Sequence, residues 1–310
     1  MVALDVGVVT FNTRDLTVSA LERLIEHTAG LELRLLVHDN ASTDGTAEAI
    51  RARVPQAEVE VGEQNVGFAA GMNRLIARSR APWFLALNSD AWPEPGAIEA
   101  LIAAGEASPS AAAVAPRLLR PDGSLEHSTF PFPSLGVASI TAVGGYRRLW
   151  PKLANRLGLV GVWAHDEARD VDWAVGAALL MRRSALDVLG GFDETFFMYV
   201  EDLEWCWRAR AAGWTIRFEP SAVVRHVGNA SGQSSYGPLR TRAHINNGYR
   251  FYRRVHGPAG TMAYRALNVG GCGRLYVLAR LRRDEHGRAE WAEHLRAHLS
   301  RTHATDGPPR

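Results

Sequence analysis

The stretch Pro82–Pro95, P-W-F-L-A-L-N-S-D-A-W-P-E-P, decides the fold. Its apolar run, Trp83–Leu87, is short and continuous, which is typical of a strand buried on both faces within a parallel sheet. Such a strand delivers its last residues to the edge of the sheet where open α/β folds bind ligands. Asn88, Ser89 and Asp90 follow the run, and a turn is the simpler interpretation of these three residue types. An aspartate at that edge is also a potential ligand of a divalent metal ion.

Apolar runs and amphipathic segments alternate along the first 120 residues. This alternation predicts an α/β fold in which right-handed crossovers build a mainly parallel sheet flanked by helices. Polar clusters follow three of the strands, where such a sheet binds its ligand. The predicted strands are Val6–Phe11, Leu33–Val37, Glu58–Val61 and Trp83–Leu87, and the predicted helices are Leu16–Thr28, Thr46–Arg53, a third ending near Ser79, and Gly96–Glu106.

The second half of the sequence is less regular. The run Arg120–Ser124 predicts a hairpin after a strand at Ala112–Leu119. Ser128–Arg169 is rich in glycine, proline and aromatic residues, and it is interpreted either as a packed loop or as a flap, acceptor surface or membrane-facing edge. Further strands are predicted at Val171–Met181, Trp214–Phe218 and Ala222–Val227, with a helix at Glu201–Ala212.

The tail beyond Gly232 is arginine-rich and predicted to be helical. Arg240–Arg254 and Leu275–Arg283 mix arginine with tyrosine, leucine and isoleucine. A solvated helical face is one interpretation of this pattern, and a patch for anionic lipid head groups is the other.

The composition limits the class of protein. The 310 residues are 46% hydrophobic and 22% charged, as in soluble globular proteins, and a net charge of +2 does not indicate nucleic-acid binding. Two cysteines, Cys206 and Cys272, favour a reducing compartment over a disulfide framework. No signal peptide is evident, and no apolar run reaches the ~20 residues that span a bilayer. We therefore expect a cytoplasmic protein with, at most, peripheral membrane contact.

Two of the polar clusters lie in the first half of the chain. Asp39 and Asn40 end the second strand, where an aspartate can accept hydrogen bonds from a base or a ribose, although a capping turn explains the residues that follow. Asn65, Gly67 and Phe68 open the third helix without the G-x-G-x-x-G spacing of a dinucleotide site. The backbone amides of such a helix start can still face an anion.

The second half contributes a cluster of acids and a histidine. Glu201, Asp202 and Glu204 open a helix, and three acids there exceed what the helix dipole requires. A carboxylate beside aromatic side chains can have a raised pKa and act as a general base. His226 ends a later strand; a lone histidine is usually structural, but an aspartate nearby makes metal binding more plausible.

These segments occur in the order V-V-T-F-N, D-N-A-S-T-D-G-T, N-V-G-F-A-A-G-M-N, N-S-D, G-G-F-D-E-T-F-F-M-Y-V-E-D-L-E-W-C-W-R and R-H-V-G. The set resembles the inverting GT-A glycosyltransferases of family 2, and most closely their bacterial rhamnosyltransferase branch. The resemblance covers about Val6–Gly232. It implies a Rossmann-like GT-A domain at residues 1–232, with a nucleotide-sugar-binding half at 1–119 and an acceptor and catalytic half at 120–232. Residues 233–310 would form a helical extension.

The resemblance also implies roles for individual residues. Asp202 corresponds to the catalytic base, and Asp90 to the main protein ligand of Mg²⁺ or Mn²⁺, with His226 and diphosphate oxygens completing the coordination. Asn88 stands where the D-x-D motif has its first carboxylate. The nucleotide sugar would be bound by Thr10, Phe11, Asn12, Arg14, Asp39, Asn65, Gly67, Phe68, Asn73, Asn88, Ser89 and Asp90. The donor sugar and the acceptor would be bordered by Trp173, Gly176, Ala177 and Glu201.

The implied reaction is a single displacement. Asp202 would remove a proton from an acceptor hydroxyl, whose oxygen attacks the anomeric carbon opposite the diphosphate and inverts it. The donor would be a dTDP- or UDP-sugar, with dTDP-L-rhamnose favoured by the resemblance, and the acceptor a glycan, a lipid-linked molecule or a small molecule. Two alternatives stay open: a nucleotidyltransferase, although Asn12–Asp15 lacks the glycine of its phosphate loop, and a carbohydrate- or nucleotide-sugar-binding protein without turnover.

Overall fold

The computed structural model describes residues 4–144, 163–228 and 240–300. The chain divides into two compact units, one formed by Met1–Phe130 with Ala164–Ser235 and the other by Pro131–Trp163 with Tyr236–Arg310. The segment that follows Phe130 therefore groups with the C-terminal helices, not with the sheet. Part of the predicted 128–169 loop, including Trp150, Leu153, Leu157 and Leu159, lies outside the described residues.

The first half of the sheet unit has the predicted alternation of strands and helices. The strands end at polar residues, and most of their side chains are buried. A short fifth strand, which was not predicted, follows the fourth directly. The elements are β1 (Leu4–Thr10), α1 (Arg14–His27), β2 (Leu33–Asp39), α2 (Thr46–Arg53), β3 (Ala57–Val61), α3 (Phe68–Arg78), β4 (Trp83–Asn88), β5 (Ala91–Pro93) and α4 (Ala97–Glu106).

The rest of the sheet unit departs from the prediction at two places. The single strand predicted at Val171–Met181 is wrong, because the segment contains parts of three strands. At the break between the second and the third, the backbone N–H of Gly176 donates to the carboxylate of Asp202 instead of to a neighbouring strand. The two predicted closing strands form one strand with a register shift. The elements are β6 (Ala111–Leu119), β7 (Leu125–Glu126), β8 (Thr129–Phe130), β9 (Arg169–Val171), β10 (Trp173–Ala174), β11 (Ala178–Arg182), α6 (Arg183–Leu189), α7 (Glu201–Ala211) and β12 (Thr215–His226).

The sheet is mixed but mostly parallel. Its strand order is β3-β2-β1-β4-β11-β6-β12-β5, and β7 and β9 pair with β6 and β12. Strand β11 runs antiparallel between β4 and β6, so that β3, β2, β1, β4, β6 and β12 all point the same way. The carboxyl ends of β1, β2, β4 and β12 consequently lie on one edge of the sheet. The predicted α/β class with a mainly parallel sheet is confirmed, and so is the hairpin that joins β6 to β7.

The second unit is helical in its described part. It contains α5 (Leu135–Val143), α8 (Arg240–Leu281) and α9 (Glu285–Leu299), so the loop predicted after Ser128 includes a helix. Helix α8 is interrupted at Gly257, whose φ is 70°, and the rings of Tyr252 and Tyr264 stack across the break with centroids 4.1 Å apart. Among the described residues, no helix combines the length and the apolarity needed to cross a membrane.

Candidate active site

The loop after β1 is fastened to the loop after β2. The Asn12 backbone N–H donates to the Ser42 hydroxyl at 2.9 Å, and the Asn12 side-chain oxygen accepts from the Thr43 N–H at 2.8 Å. The Arg14 backbone N–H donates to the Asp44 carboxylate at 3.0 Å. Asn12 is therefore used to hold the two loops together, whereas the Arg14 side chain is exposed at their surface.

The residues that end β1 and β2 are buried. The Thr10 hydroxyl is hydrogen-bonded to those of Thr13 and Thr17, so its contribution to a nucleotide pocket would be to position the loop. Asp39 is only 1% exposed, and its carboxylate accepts from the Ser42 N–H at 3.0 Å. Phe11 is partly exposed just beyond Thr10.

The start of α3 is locked against the loop that precedes α7. Gly67 has φ 89°, and a Cβ at this position would overlap the carbonyl oxygen of Phe197. The Phe68 N–H donates to that same oxygen at 2.8 Å. The side-chain oxygen of Asn65 accepts from the Gly67 N–H at 3.0 Å. Glycine is therefore required at position 67 both for its backbone conformation and for the close approach.

Asn73 extends this attachment one turn further along α3. Its side-chain nitrogen donates to the Phe192 carbonyl at 2.8 Å and to the Glu194 carboxylate at 2.9 Å, and its oxygen accepts from the Phe192 N–H at 2.8 Å. These bonds occupy the amide with the loop before α7. Asn73 was predicted to line this wall of the site. Its hydrogen bonds instead hold the wall in position.

A histidine and two carboxylates meet where β4 and β12 end. The His226 Nε2 atom is 3.3 Å from an Asp90 oxygen and 3.3 Å from the Asn88 side-chain nitrogen, and its Nδ1 atom is 3.0 Å from a Glu126 oxygen. Burial alone would lower the pKa of His226, but hydrogen bonds to Asp90 and Glu126, with their negative charges, raise it to about 9. Asp90 and Ser89 are buried, as a strand-end turn in this position requires.

Glu126 is a residue of this cluster that sequence reasoning did not select. It lies on β7, which the hairpin brings back beside β6, and β6 in turn borders β12. The turn signal at Arg120–Ser124 predicted the hairpin itself. However, the register that places Glu126 opposite Leu118, and so within reach of His226, depends on the tertiary pairing.

The donor set fits a divalent cation bound in an open site. Carboxylate oxygen suits Mg²⁺ and Mn²⁺, and an imidazole whose other nitrogen is held by a carboxylate is the usual form of a metal-binding histidine. Glu126 and Asp90 flank His226 in this way. Among the described residues, no group of three or more His, Cys, Asp or Glu side chains is arranged to hold a metal ion. A cation at Asp90 and His226 would therefore need ligands from a bound diphosphate.

Asp202 occupies the first turn of α7. Its carboxylate accepts hydrogen bonds from the Gly176 N–H at 2.8 Å and from the Leu203 N–H at 2.7 Å. Burial raises the pKa of Asp202 above its ordinary value, and these two hydrogen bonds oppose the rise. The residues just before the helix, Tyr199 and Val200, both have positive φ values, 72° and 79°. Two consecutive left-handed side-chain-bearing residues are costly, and such strain is concentrated at functional sites.

Glu201 and Glu204 differ in their surroundings. The Glu204 carboxylate forms an ion pair with Arg208 at 2.9 Å, one turn along the helix, which explains it structurally. Glu201 is 6% exposed, and its Oε2 atom has no hydrogen-bond partner among the described residues. Burial, and then the charge of Asp202, raise the pKa of Glu201 well above its ordinary value. Glu201 is therefore a buried acid beside the candidate base, and its surroundings favour its protonated form.

A short segment joins the base to the metal-binding edge. The Ala177 carbonyl accepts from the Asn88 N–H at 2.9 Å, while the adjacent Gly176 N–H holds Asp202. Trp173 lies just upstream, with its ring stacked on Phe130 at 5.1 Å between centroids. The structure thus brings Asp90, His226, Gly176, Ala177 and Asp202 into one connected arrangement.

The fold and this arrangement define a class of protein. A solved mannosyltransferase from Pyrobaculum calidifontis, in complex with GDP-Man and Mn²⁺, has a similar fold. It aligns with a TM-score of 0.57 and 16% sequence identity, over 95% of this chain and 85% of that one. The fold is that of the GT-A glycosyltransferases.

Sequence comparisons narrow the class to a family. The family profile described as "Glycosyl transferase family 2" matches residues 5–140. An N-acetylglucosaminyl-diphospho-decaprenol L-rhamnosyltransferase of Mycobacterium tuberculosis is 34% identical over 234 residues, which is 72% of this chain and 75% of the relative. A pre-mycofactocin glycosyltransferase of the same organism is 30% identical over 208 residues, 67% of this chain and 40% of that relative. The chain belongs to glycosyl transferase family 2, and it is a glycosyltransferase.

Proposed function

We propose that this glycosyltransferase transfers L-rhamnose from dTDP-L-rhamnose to a hydroxyl of a lipid-linked glycan and inverts the anomeric carbon. The name of the mycobacterial relative supports the sugar and the acceptor class, since it specifies L-rhamnose and a diphospho-decaprenol glycan. That similarity covers 72% of this chain, so it extends beyond residues 5–140, which the family profile matches.

The observation that carries the mechanism is the hydrogen-bonded placement of Asp202. The bonds from Gly176 and Leu203 fix the carboxylate at the start of α7, and the residue stays partly exposed to a substrate. A carboxylate whose pKa is raised by burial is a better proton acceptor than an ordinary aspartate. Asp202 takes the proton of the acceptor hydroxyl. The oxygen of that hydroxyl attacks the anomeric carbon, and the nucleoside diphosphate leaves from the opposite face.

Asp90 and His226 would hold Mg²⁺ or Mn²⁺, together with oxygens of the donor diphosphate. His226, whose pKa of about 9 favours the imidazolium before the ion binds, would give up its Nε2 proton to do so. Such an ion would neutralise the charge that develops on the leaving nucleoside diphosphate. Glu126 holds the imidazole by Nδ1 and leaves Nε2 directed at the Asp90 side. Asn88 and Ser89 shape this turn, and the uncharged Asn88 leaves Asp90 as the anionic ligand.

The nucleotide would lie over the edge formed by the loops after β1, β2 and β3. Asp39 would accept from the base or the ribose, and Phe11 and Arg14 are the accessible side chains of the first loop. Asn65 and Phe68 would form the next wall. The supporting contacts come from a set of residues that hold the loops in place: Thr10, Asn12, Gly67 and Asn73.

The sugar would be accommodated between Trp173 and the Gly176–Ala177 segment. The Glu201 Oε2 atom, which is buried without a hydrogen-bond partner among the described residues, would pair with a sugar or acceptor hydroxyl.

Both cysteines, Cys206 and Cys272, are free and buried, which supports the reducing cytoplasm as the place of reaction.

The test is a donor panel with the purified full chain. It compares dTDP-L-rhamnose with UDP- and GDP-sugars, in Mg²⁺, in Mn²⁺ and in EDTA, using a polyprenyl-diphosphate-linked N-acetylglucosamine as the acceptor. We expect a metal-dependent product from dTDP-L-rhamnose, with the anomeric configuration inverted by NMR. Turnover of a UDP- or GDP-sugar alone would overturn the rhamnosyl assignment, and retention of configuration would overturn the single displacement.

A further inference from the structure

The second half of helix α8 presents an apolar stripe to the outside. Met262, Val277 and Leu281 are 73%, 52% and 75% exposed. They are connected along the helix by small residues at steps of three or four, which places them all on one side. The stripe consists of Met262, Ala266, Gly270, Gly273, Val277 and Leu281.

The arginines of α8 are not matched by acidic residues on the helix itself, although Asp284 and Glu285 follow Arg283 directly and are exposed. Between Arg240 and Arg283 the sequence has ten arginines and no aspartate or glutamate. Arg280, Arg282 and Arg283 at the end of the helix are exposed, and they form no ion pair with any described residue. Arg274 is different, because it donates to the Ala142 carbonyl at 2.9 Å and so fastens α8 to α5. Helix α8 is therefore attached by one face, while its apolar stripe and terminal arginines stay accessible.

We propose that the apolar stripe of α8 and the terminal arginines bind the surface of an anionic phospholipid bilayer. An apolar face with arginines at its border is the pattern by which helices lie in the bilayer interface. Anionic head groups attract each nearby arginine, whereas a second copy of this chain would oppose arginine to arginine. A nucleic acid would match the charge but leave the exposed Met262, Val277 and Leu281 in water. The inference concerns residues of the helical unit, none of which has been assigned to the candidate active site, and it does not depend on the donor or the acceptor.

The experiment is vesicle flotation of the full chain. Vesicles of 30% phosphatidylglycerol in phosphatidylcholine are compared with pure phosphatidylcholine, at low and high salt. We expect binding to the anionic vesicles that weakens by at least ~10-fold on pure phosphatidylcholine and also weakens with salt.

Two combined variants separate the apolar and the charged contributions. Replacement of Met262, Val277 and Leu281 by glutamine should reduce anionic-vesicle binding by at least ~10-fold. Replacement of Arg280, Arg282 and Arg283 by glutamine should reduce it by about 100-fold. The matched control is Val188→Gln, because Val188 is 71% exposed but lies on α6 in the sheet unit. It should bind as the unaltered chain does, and all variants should keep the same circular dichroism and unfolding midpoint.

Three outcomes would overturn the proposal. The first is an unaltered chain that does not float with anionic vesicles. The second is retained binding in both combined variants. The third is a sedimentation experiment in which the glutamine stripe variant turns a dimer into a monomer while vesicle binding stays unchanged, since a second copy would then be what covers the stripe.

Discussion

At the scale of single residues, neighbouring carboxylates of α7 are given different tasks by their surroundings. Asp202 receives two backbone N–H bonds, which favour its ionised form. Glu201 is buried without a partner for Oε2 among the described residues, which favours its protonated form. Glu204 is neutralised by Arg208. One helix start thereby contains the proposed proton acceptor, an acid whose protonated form is favoured, and a structural ion pair.

Asp202→Asn tests the proton acceptor. The amide keeps the size of the side chain but cannot accept the proton, so kcat should fall by ~10²–10⁴-fold. Affinity for the nucleoside diphosphate, measured by calorimetry, should stay within about threefold. Glu204→Gln provides the comparison within the same helix turn, and a mutant at position 202 with near-normal kcat would remove Asp202 from its role.

The pH dependence of the reaction follows from the same pair. The base must be ionised, and burial raises the pKa of Asp202, so kcat/KM should decline as pH falls through that raised pKa. Burial and the charge of Asp202 raise the pKa of Glu201 well above its ordinary value, which favours its protonated form. Glu201→Gln therefore resembles the favoured form, and we expect the acid limb of the kcat/KM profile to keep its position. A shift of that limb by a full pH unit would show that Glu201 is ionised instead.

Asp90→Asn tests the metal-binding edge. Loss of the carboxylate should weaken Mn²⁺-dependent binding of dTDP by at least ~10-fold, because a hard cation loses its anionic protein ligand. Binding measured in EDTA should change little. Asp187→Asn is a suitable control, since Asp187 is an exposed aspartate on α6 whose ion-pair partner among the described residues, Arg183, is not assigned to the candidate site. Equal Mn²⁺ dependence in the Asp90 variant and the unaltered chain would exclude Asp90 as a ligand.

At the scale of elements, the site depends on how α3 is attached to the loop before α7. Gly67 and Phe68 meet the Phe197 carbonyl, and Asn73 holds Phe192 and Glu194. These contacts join residues more than 110 positions apart in sequence. They bring the wall of the nucleotide site and the start of α7 into register with each other.

Gly67→Ala measures that attachment. Gly67 and Gly45 both have positive φ, 89° and 81°, but only at Gly67 would a Cβ overlap another group, whereas Gly45 has open space. Gly45→Ala should therefore cost about 1–2 kcal/mol of conformational strain. Gly67→Ala should reduce the free energy of unfolding by at least ~1 kcal/mol more, because steric overlap is added to the strain. Urea unfolding of the two variants measures the difference. Equal losses in the free energy of unfolding would mean that the Phe197 carbonyl can move aside without cost.

The elements that the sequence predicts well are those that local patterns determine. Strands β1, β2 and β4 contain apolar runs, β3 alternates apolar and charged residues, and helices separate all four, so their presence and order follow from periodicity. Asp90 follows such a run, but it was the family resemblance that made it the expected ligand, since the run alone favoured a turn. The division at Gly176 and the contribution of Glu126 were not predicted, since both depend on a partner distant in sequence: the carboxylate of Asp202 and the imidazole of His226. Asn73 was expected to line the site, but its bonds to Phe192 show a positioning contact that no local pattern encodes.

At the scale of the whole molecule, we expect the free energy of unfolding to respond to pH through a histidine buried in the sheet unit. His38 on β2 is fully buried, neither ring nitrogen has a hydrogen-bond partner among the described residues, and the nearest ion-pair contact is Glu60 at 3.8 Å. Burial, and then the charge of Arg74, lower the pKa of His38 below 6.5. The unfolded chain consequently binds a proton more readily than the folded chain.

The free energy of unfolding should therefore decrease as pH falls below about 6.5, the unfolded value, and this loss should continue until His38 is protonated in the folded state. Chemical denaturation at pH 7.5, 6.5 and 5.5 measures the slope. His38→Gln removes one of the groups that titrate in this way and should reduce the slope, whatever its effect on stability at pH 7.5. His244 and His298, whose pKa values burial also lowers, are expected to account for the remaining acid sensitivity. His286→Gln is the control, because His286 is exposed on α9, and a slope that is unchanged in His38→Gln would assign the acid sensitivity to other groups.

The Gly176–Ala177 segment has a consequence for how this enzyme can diversify. Its two links, to Asp202 and to Asn88, use main-chain atoms, so side-chain replacement does not remove the bonding groups themselves. In the proposed site, side chains that would border the sugar, such as Trp173, could therefore be exchanged to suit a different hexose while these two main-chain links are retained. We expect substrate choice and reaction geometry to be separable traits in this chain, so that a designer of new donor preferences could alter the first without rebuilding the second.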